Sequence, residues 1–113
     1  MNILIAGASG FIGSHLAAHL HSQGHRVIAA GRQINAAGRL APDLDWIACD
    51  FRHDNAADWR PRLAGVDAVI NCVGVLQDGL GDPSRAAHVD GAAALFAACA
   101  EAGVRRVIHI SAV

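Results

Sequence analysis

At 113 residues, with 53% hydrophobic and 17% charged side chains and a net charge of −1, the chain has the length of one domain and the composition of a folded globular protein. It lacks the basic excess that nucleic-acid binding requires, and no apolar run reaches the ~18 residues of a membrane span. Residues 1–13 lack the basic region and cleavage site of a signal peptide.

The elements follow in chain order. Ile3-Leu4-Ile5-Ala6 is a short continuous apolar run, which predicts a strand covered on both faces. Turn glycines follow. Phe11, Ile12, Leu16, Ala17 and Leu20 then recur at helical spacing, and Gly24 marks the helix end. Arg26-Val27-Ile28-Ala29-Ala30 predicts a second strand. Residues 33–44, with Gly38 and Pro42, read as a loop. Trp46-Ile47-Ala48-Cys49 predicts a third strand, and Asp54 is the expected cap of a short helix through Asp58, Trp59 and Arg60 that Pro61 ends. Asp67-Ala68-Val69-Ile70-Asn71 is the fourth strand. The stretch 74–83 carries Gly74, Gly79, Gly81 and Pro83 and reads as a long loop, in which Asp78 and Asp82 are available to a substrate. A helix from about Ser84 to Ala102, stopped by Gly103, leads into a fifth strand, Arg105 to Ser111.

Strands alternating with helices imply right-handed crossovers and a parallel sheet. The expected fold class is α/β, a Rossmann-type doubly wound parallel sheet of order 3-2-1-4-5, occupying residues 1–113 as one domain. The chain ends two residues after Ser111 on a fresh edge strand. The expectation is therefore an N-terminal part of a longer protein, truncated after the fifth strand. The alternative is a short native chain that pairs this edge in a homo-oligomer.

Gly7-Ala8-Ser9-Gly10-Phe11-Ile12-Gly13 lies directly after the first strand and opens the first helix. In that context a glycine loop cradles a pyrophosphate. Gly7 permits the turn, Gly10 lets the phosphates approach the backbone, Gly13 lets the helix pack on the strand, and the helix N-terminus contributes partial positive charge. A purely structural turn is the competing reading. An NAD site usually carries an acidic residue after the second strand, to bind the ribose 2′-OH. Here no acid occurs before Asp43, and Arg32 follows Gly31 instead. A guanidinium pairs with a 2′-phosphate and stacks on adenine, so NADP is favoured over NAD, with Arg39 as a second candidate and a solvated surface arginine as the alternative.

The three cysteines, Cys49, Cys72 and Cys99, are odd in number and form no CxxC pair, which points to buried reduced thiols in a cytoplasmic protein. Seven histidines include His15 and His19 four apart on the first helix. No cysteine or carboxylate completes a metal site with ligand spacing, so no metal is expected. His109 reads as a packed or edge residue of the fifth strand.

These residues resemble the short-chain dehydrogenase/reductase superfamily, in its extended and atypical branches. The resemblance rests on Asn2 through Ser14, on Cys49-Asp50-Phe51, and on Asn71-Cys72-Val73-Gly74. It extends to Val89-Asp90-Gly91 in a helix ending Ala102-Gly103-Val104-Arg105-Arg106, and to His109-Ile110-Ser111. The chain looks most like bacterial NAD-dependent epimerase/dehydratase-type proteins, close to relatives of a complex I accessory subunit. Ser9, Phe11 and Ile12, as members of the glycine loop, are expected at the cofactor with the glycines, and the resemblance implies that Asp50 and Phe51 border the adenine. Val73 and Gly74 would pass the adenine ribose and pyrophosphate. A turn or helix cap is the alternative role for Asp50.

Active members of that superfamily use a Ser or Thr just after the fifth strand, then Tyr-x-x-x-Lys. The first position aligns with Ala112, leaving Ser111 as a weak catalytic candidate. The family's usual helix Asn aligns with His88. The chain contains no tyrosine and no lysine. The expectation is an NAD(P)-dependent oxidoreductase or nucleotide-sugar epimerase/dehydratase whose unknown small-molecule substrate is recognised beyond residue 113, these residues alone being inactive. A non-catalytic NADP-binding sensor or structural subunit is the alternative.

Overall fold

Ile3, Leu4, Ile5 and Ala6 are apolar without alternation because the strand they form is central and packed on both faces. In a computed structural model, which describes residues 1–32, 34–73 and 85–110, β1 (Asn2–Ala6) lies between β2 (Arg26–Gly31) and β4 (Ala68–Asn71). β3 (Asp45–Ala48) and β5 (Arg106–His109) complete a five-stranded sheet of order β3-β2-β1-β4-β5. Every pairing is parallel, with Leu4 opposite Ile28 on one side and Val69 on the other.

Successive side chains of a strand point to opposite faces, and two cores result. Ile3, Ile5, Val27, Ala29, Ala68 and Ile70 face α1 (Phe11–Ser22), which contributes Ala17 and the half-buried Ile12, Leu16 and Leu20. Leu4, Ala6, Ile28, Ala30 and Val69 face the other layer. That layer consists of α3 (Ala56–Trp59), the 3-10 turn Arg60–Leu63 and α4 (Arg85–Ala102), with Trp59, Leu63, Leu95, Ala98 and Cys99 buried. Arg60 pairs with Glu101 at 2.6 Å and ties the 3-10 turn to α4. This is the doubly wound arrangement and strand order that the alternation of elements predicts.

Two local expectations are corrected. Residues 34–40 are not loop: they form α2 (Ile34–Leu40). Gly38, read as a breaker, instead faces the Trp46 ring, whose Nε1 donates to the Ala41 carbonyl at 2.8 Å and pins the end of the helix. The tertiary contact supplies what local propensity does not.

The cap of α3 is Asn55, not Asp54. Asn55 Oδ1 accepts from the Asp58 N–H, and the Asp58 carboxylate accepts from the Asn55 N–H, a reciprocal capping box. Asp54 is engaged elsewhere, accepting from the Asp50 N–H at 2.8 Å and from Arg62 at 2.7 Å. The α-helix stops at Trp59, just ahead of Pro61 as expected, and gives way to the 3-10 turn Arg60–Leu63, whose first turn takes Pro61 because its missing N–H costs nothing there.

Gly24 and Gly103 have φ of +90° and +73° and stop α1 and α4 as expected. β5 is an edge strand that leaves Val107 and Ile108 41% and 50% exposed. Residues 74–83, with Asp78 and Asp82, and residues Ser111 and Ala112 lie outside the described residues.

Candidate functional site: the glycine turn at the strand C-termini

The site is built where β1 stops. Gly7 takes φ +81°, a conformation that side chains disfavour, and its N–H donates to the Ala30 carbonyl at 2.9 Å. The Ala8 N–H reaches the same carbonyl, so the turn is bolted to the end of β2. A Cβ on Gly7 would stand 3.0 Å from the Val73 nitrogen. The turn is thus packed against the exit of β4 as well.

Gly10 opens α1 with extended backbone (φ −78°, ψ 175°), and its N–H donates to the Gly7 carbonyl at 3.1 Å. No side chain caps this helix and its first turn holds no acidic residue. The leading N–H groups of α1 therefore have no side-chain oxygen among the described residues, which is the state in which a helix start takes an anion. Gly13 sits against the Gly7 carbonyl so closely that a Cβ there would overlap it. Gly7 and Gly13 are structural requirements of the turn, whereas Gly10 is exposed and a Cβ there would meet only the Gly7 carbonyl oxygen, at 3.3 Å.

Phe11 is 70% exposed at the helix start, its ring tilted on that of His15 at 4.7 Å, and Ile12 turns into the core beneath α1. Ser9 is exposed and lies over the end of β2: a Cβ on Gly31 would be 3.2 Å from its Oγ. Arg32, the next residue, is exposed and makes no ion pair among the described residues. The glycine turn, Ser9, Gly31 and Arg32 therefore lie together at the C-terminal ends of β1 and β2.

Asp50 and Phe51 follow β3 at the same end. Asp50 is occupied as a turn residue, its carboxylate accepting from the Arg52 N–H at 3.1 Å and facing Arg52 and His53 at 3.9 and 3.8 Å. Phe51 is buried, its ring edge-on to Trp59 at 6.3 Å. Val73 is half-buried directly after β4, and Gly74 lies outside the described residues.

The structure adds two residues that the sequence reading did not place in the site. Asn71, 1% exposed, holds the Val73 N–H through its side-chain oxygen at 3.1 Å, and its Nδ2 lies 3.0 Å from His109 Nδ1. The available signal was an amide closing an otherwise apolar buried strand, since a buried carboxamide needs partners. Cys49 and Cys99 are buried free thiols, each pushed up to about 11 by desolvation, with Arg62 partly opposing the shift at Cys49. Cys72 is also buried, free and raised. Among the described residues no group of three or more His, Cys, Asp and Glu side chains is arranged to hold a metal ion, and no helix is long and apolar enough to cross a membrane.

A parallel sheet of order 3-2-1-4-5 with a glycine turn leading from its central strand into a helix defines a Rossmann-type domain. The chain belongs to the NAD dependent epimerase/dehydratase family, whose sequence model matches residues 3–113.

An uncharacterized protein of Mycobacterium tuberculosis is 34% identical over 111 residues, covering 98% of this chain and 12% of that protein. An epimerase family protein of Mycobacterium leprae is 35% identical over 117 residues, covering 98% of this chain and 36% of the relative. The crystal structure of a UDP-glucose-4-epimerase from Stenotrophomonas maltophila, with bound NAD and a formylated UDP-arabinopyranose, superposes with a TM-score of 0.68 at 27% identity. It covers 96% of this chain and 36% of that one. The chain thus spans about a third or less of the length of these relatives.

Proposed function

We propose that residues 1–113 are the NADP(H)-binding portion of a cytoplasmic oxidoreductase or nucleotide-sugar epimerase/dehydratase. The observation that carries this reading is the α1 start, which no side chain caps among the described residues, with the exposed Gly10 as its N-cap residue beside the φ-positive Gly7. The residues fit a dinucleotide. Ser9, Gly10, Phe11 and Ile12 line the pyrophosphate, with Gly7 and Gly13 shaping the turn. Asp50 and Phe51 border the adenine, and Val73 and Gly74 pass the ribose.

When bound, the cofactor supplies hydride transfer, and these residues hold and orient it. Membership in the family and the NAD held by the Stenotrophomonas enzyme support a dinucleotide. The NADP preference rests on Arg32, exposed directly after Gly31 and in no ion pair among the described residues, at the position where an NAD site would carry an acid. Substrate recognition falls to sequence outside these residues, with Ser111 a weak catalytic candidate. The 113 residues hold no tyrosine or lysine, which also fits a cofactor-bound sensor or structural subunit. Turnover of alcohol, carbonyl or sugar-nucleotide substrates by the full-length protein separates that reading from an enzyme.

Calorimetry with NADPH and NADH tests the cofactor. A charge-assisted contact of about 1.5–3 kcal/mol favours NADPH by roughly ten- to 150-fold, and Arg32→Ala shrinks the difference. Equal wild-type affinities would overturn the Arg32 assignment.

A further inference from the structure

Asn71 closes β4 and is opposite His109 in the β4–β5 register. Its carboxamide has two neighbours with different demands. The Val73 backbone N–H can only donate, so the atom that faces it at 3.1 Å is the carboxamide oxygen. The atom that faces His109 Nδ1 at 3.0 Å is then the NH2 group, which can only donate. Nδ1 must therefore be the acceptor. A histidine that accepts at Nδ1 is neutral and carries its proton on Nε2.

The frame around this pair is fixed. The Asn71 carbonyl accepts from the Ile110 N–H at 3.0 Å, which holds the two strand ends together. Phe96 of α4 meets the His109 ring edge-on, at 5.6 Å between centroids and 89° between planes. Nε2 has no hydrogen-bond partner among the described residues. On the other side, the Val73 nitrogen that Asn71 holds is the atom nearest to where a Gly7 Cβ would be.

We propose that Asn71 is a positioning residue with two outputs. It holds the Val73 turn against the glycine turn, and it sets His109 as a neutral imidazole that offers Nε2–H, a hydrogen-bond donor and not a base, at the C-terminal end of the sheet. The oxygen of a bound ligand, and not an acidic proton, is the chemistry this donor serves. The first output rests on the dinucleotide reading above; the second does not.

Long-range ¹H–¹⁵N spectra of histidine-labelled protein at mildly alkaline pH read the tautomer, with the His109 signals identified by their loss in His109→Gln. The expected wild-type pattern is an unprotonated Nδ1 and a protonated Nε2. Asn71→Asp keeps an acceptor for Val73 but turns an oxygen toward Nδ1, and it is expected to move the proton onto Nδ1 or to give the imidazolium.

NADPH calorimetry reads the other output. Asn71→Ala and His109→Phe are each expected to weaken binding about three- to tenfold, the scale of one unmade buried hydrogen bond. His109→Gln, which restores an acceptor for Asn71 Nδ2, is expected to recover most of that loss. A protonated Nδ1 in the wild type, or no tautomer change in Asn71→Asp, overturns the His109 assignment. Equal NADPH affinity in His109→Phe, His109→Gln and the wild type overturns the coupling to Val73, even if Asn71→Ala does not fold. A wild type that binds no dinucleotide sinks the cofactor reading and with it the first output, while the tautomer spectra still decide the second.

Discussion

Gly91 of α4 lies directly against the main chain of Phe51. A Cβ at position 91 would overlap the Phe51 carbonyl oxygen and stand 2.6 Å from Cδ1 of its ring. That oxygen is backbone and the ring is packed edge-on to Trp59, so neither can turn aside. Gly91→Ala is expected to lower stability by about 1–3 kcal/mol, the usual cost of overpacking a tight core. Urea denaturation checks this, and a midpoint raised by the full helical gain of Ala over Gly would show that α4 shifts freely. The helical gain of Ala over Gly, about 1 kcal/mol, works in the opposite direction and sets a floor for the clash if the variant proves neutral.

Gly10 and Gly7 are expected to fail differently. Gly10 already has extended backbone, which valine tolerates, and a Cβ there would be 3.3 Å from the Gly7 carbonyl at the mouth of the turn. Gly10→Val should therefore keep the circular dichroism spectrum while abolishing binding of both NADPH and NADH. Gly7→Val forces a β-branched residue to φ +81° and against the Val73 nitrogen. It should lower the melting temperature, with a backbone cost of about 1–2 kcal/mol before any clash. Retained binding in Gly10→Val would remove the glycine turn from the cofactor site.

The buried thiols make stability fall at alkaline pH. Burial pushes the Cys49 and Cys99 thiols up to about 11 in the folded protein, from 9.0 for an ordinary thiol. The unfolded chain therefore releases these protons first. The stabilisation is complete below about pH 9 and is lost as pH rises to about 11. Urea midpoints should fall across that window, and Cys99→Ala should flatten the fall while introducing its own cavity cost. Iodoacetamide at neutral pH should modify the three cysteines in urea but not in the native protein. Rapid native labelling would contradict their burial.

Much of this molecule is legible without coordinates because the controlling interactions are local. The unbroken apolar run at Ile3–Ala6 marks a strand covered on both faces. The spacing of Gly7, Gly10 and Gly13 marks a turn into a helix. Gly24 and Gly103 terminate helices through a backbone conformation that their own lack of Cβ allows. Alternation of strands and helices then leaves few topologies, and the order 3-2-1-4-5 is one of them. The missed features share a different cause. Gly38 looks like a breaker until Trp46 lies beside it, and Asp54 looks like a cap until Arg62 and the Asp50 N–H have claimed its carboxylate.

The glycine turn, the parallel fold and the position of Arg32 past β2 follow from the sequence alone, since each depends on residues a few places apart or on period. Tertiary structure decided which roles those residues share. It assigned Gly7 and Gly13 to packing and left Gly10 exposed, turned the Phe51 ring into the core against Gly91, and joined Asn71 to His109 across 38 positions of chain. A hydrogen bond between residues so distant in sequence has no local signature. It exists only because β4 and β5 are neighbours in the sheet, and burial then obliges the amide to find a partner there.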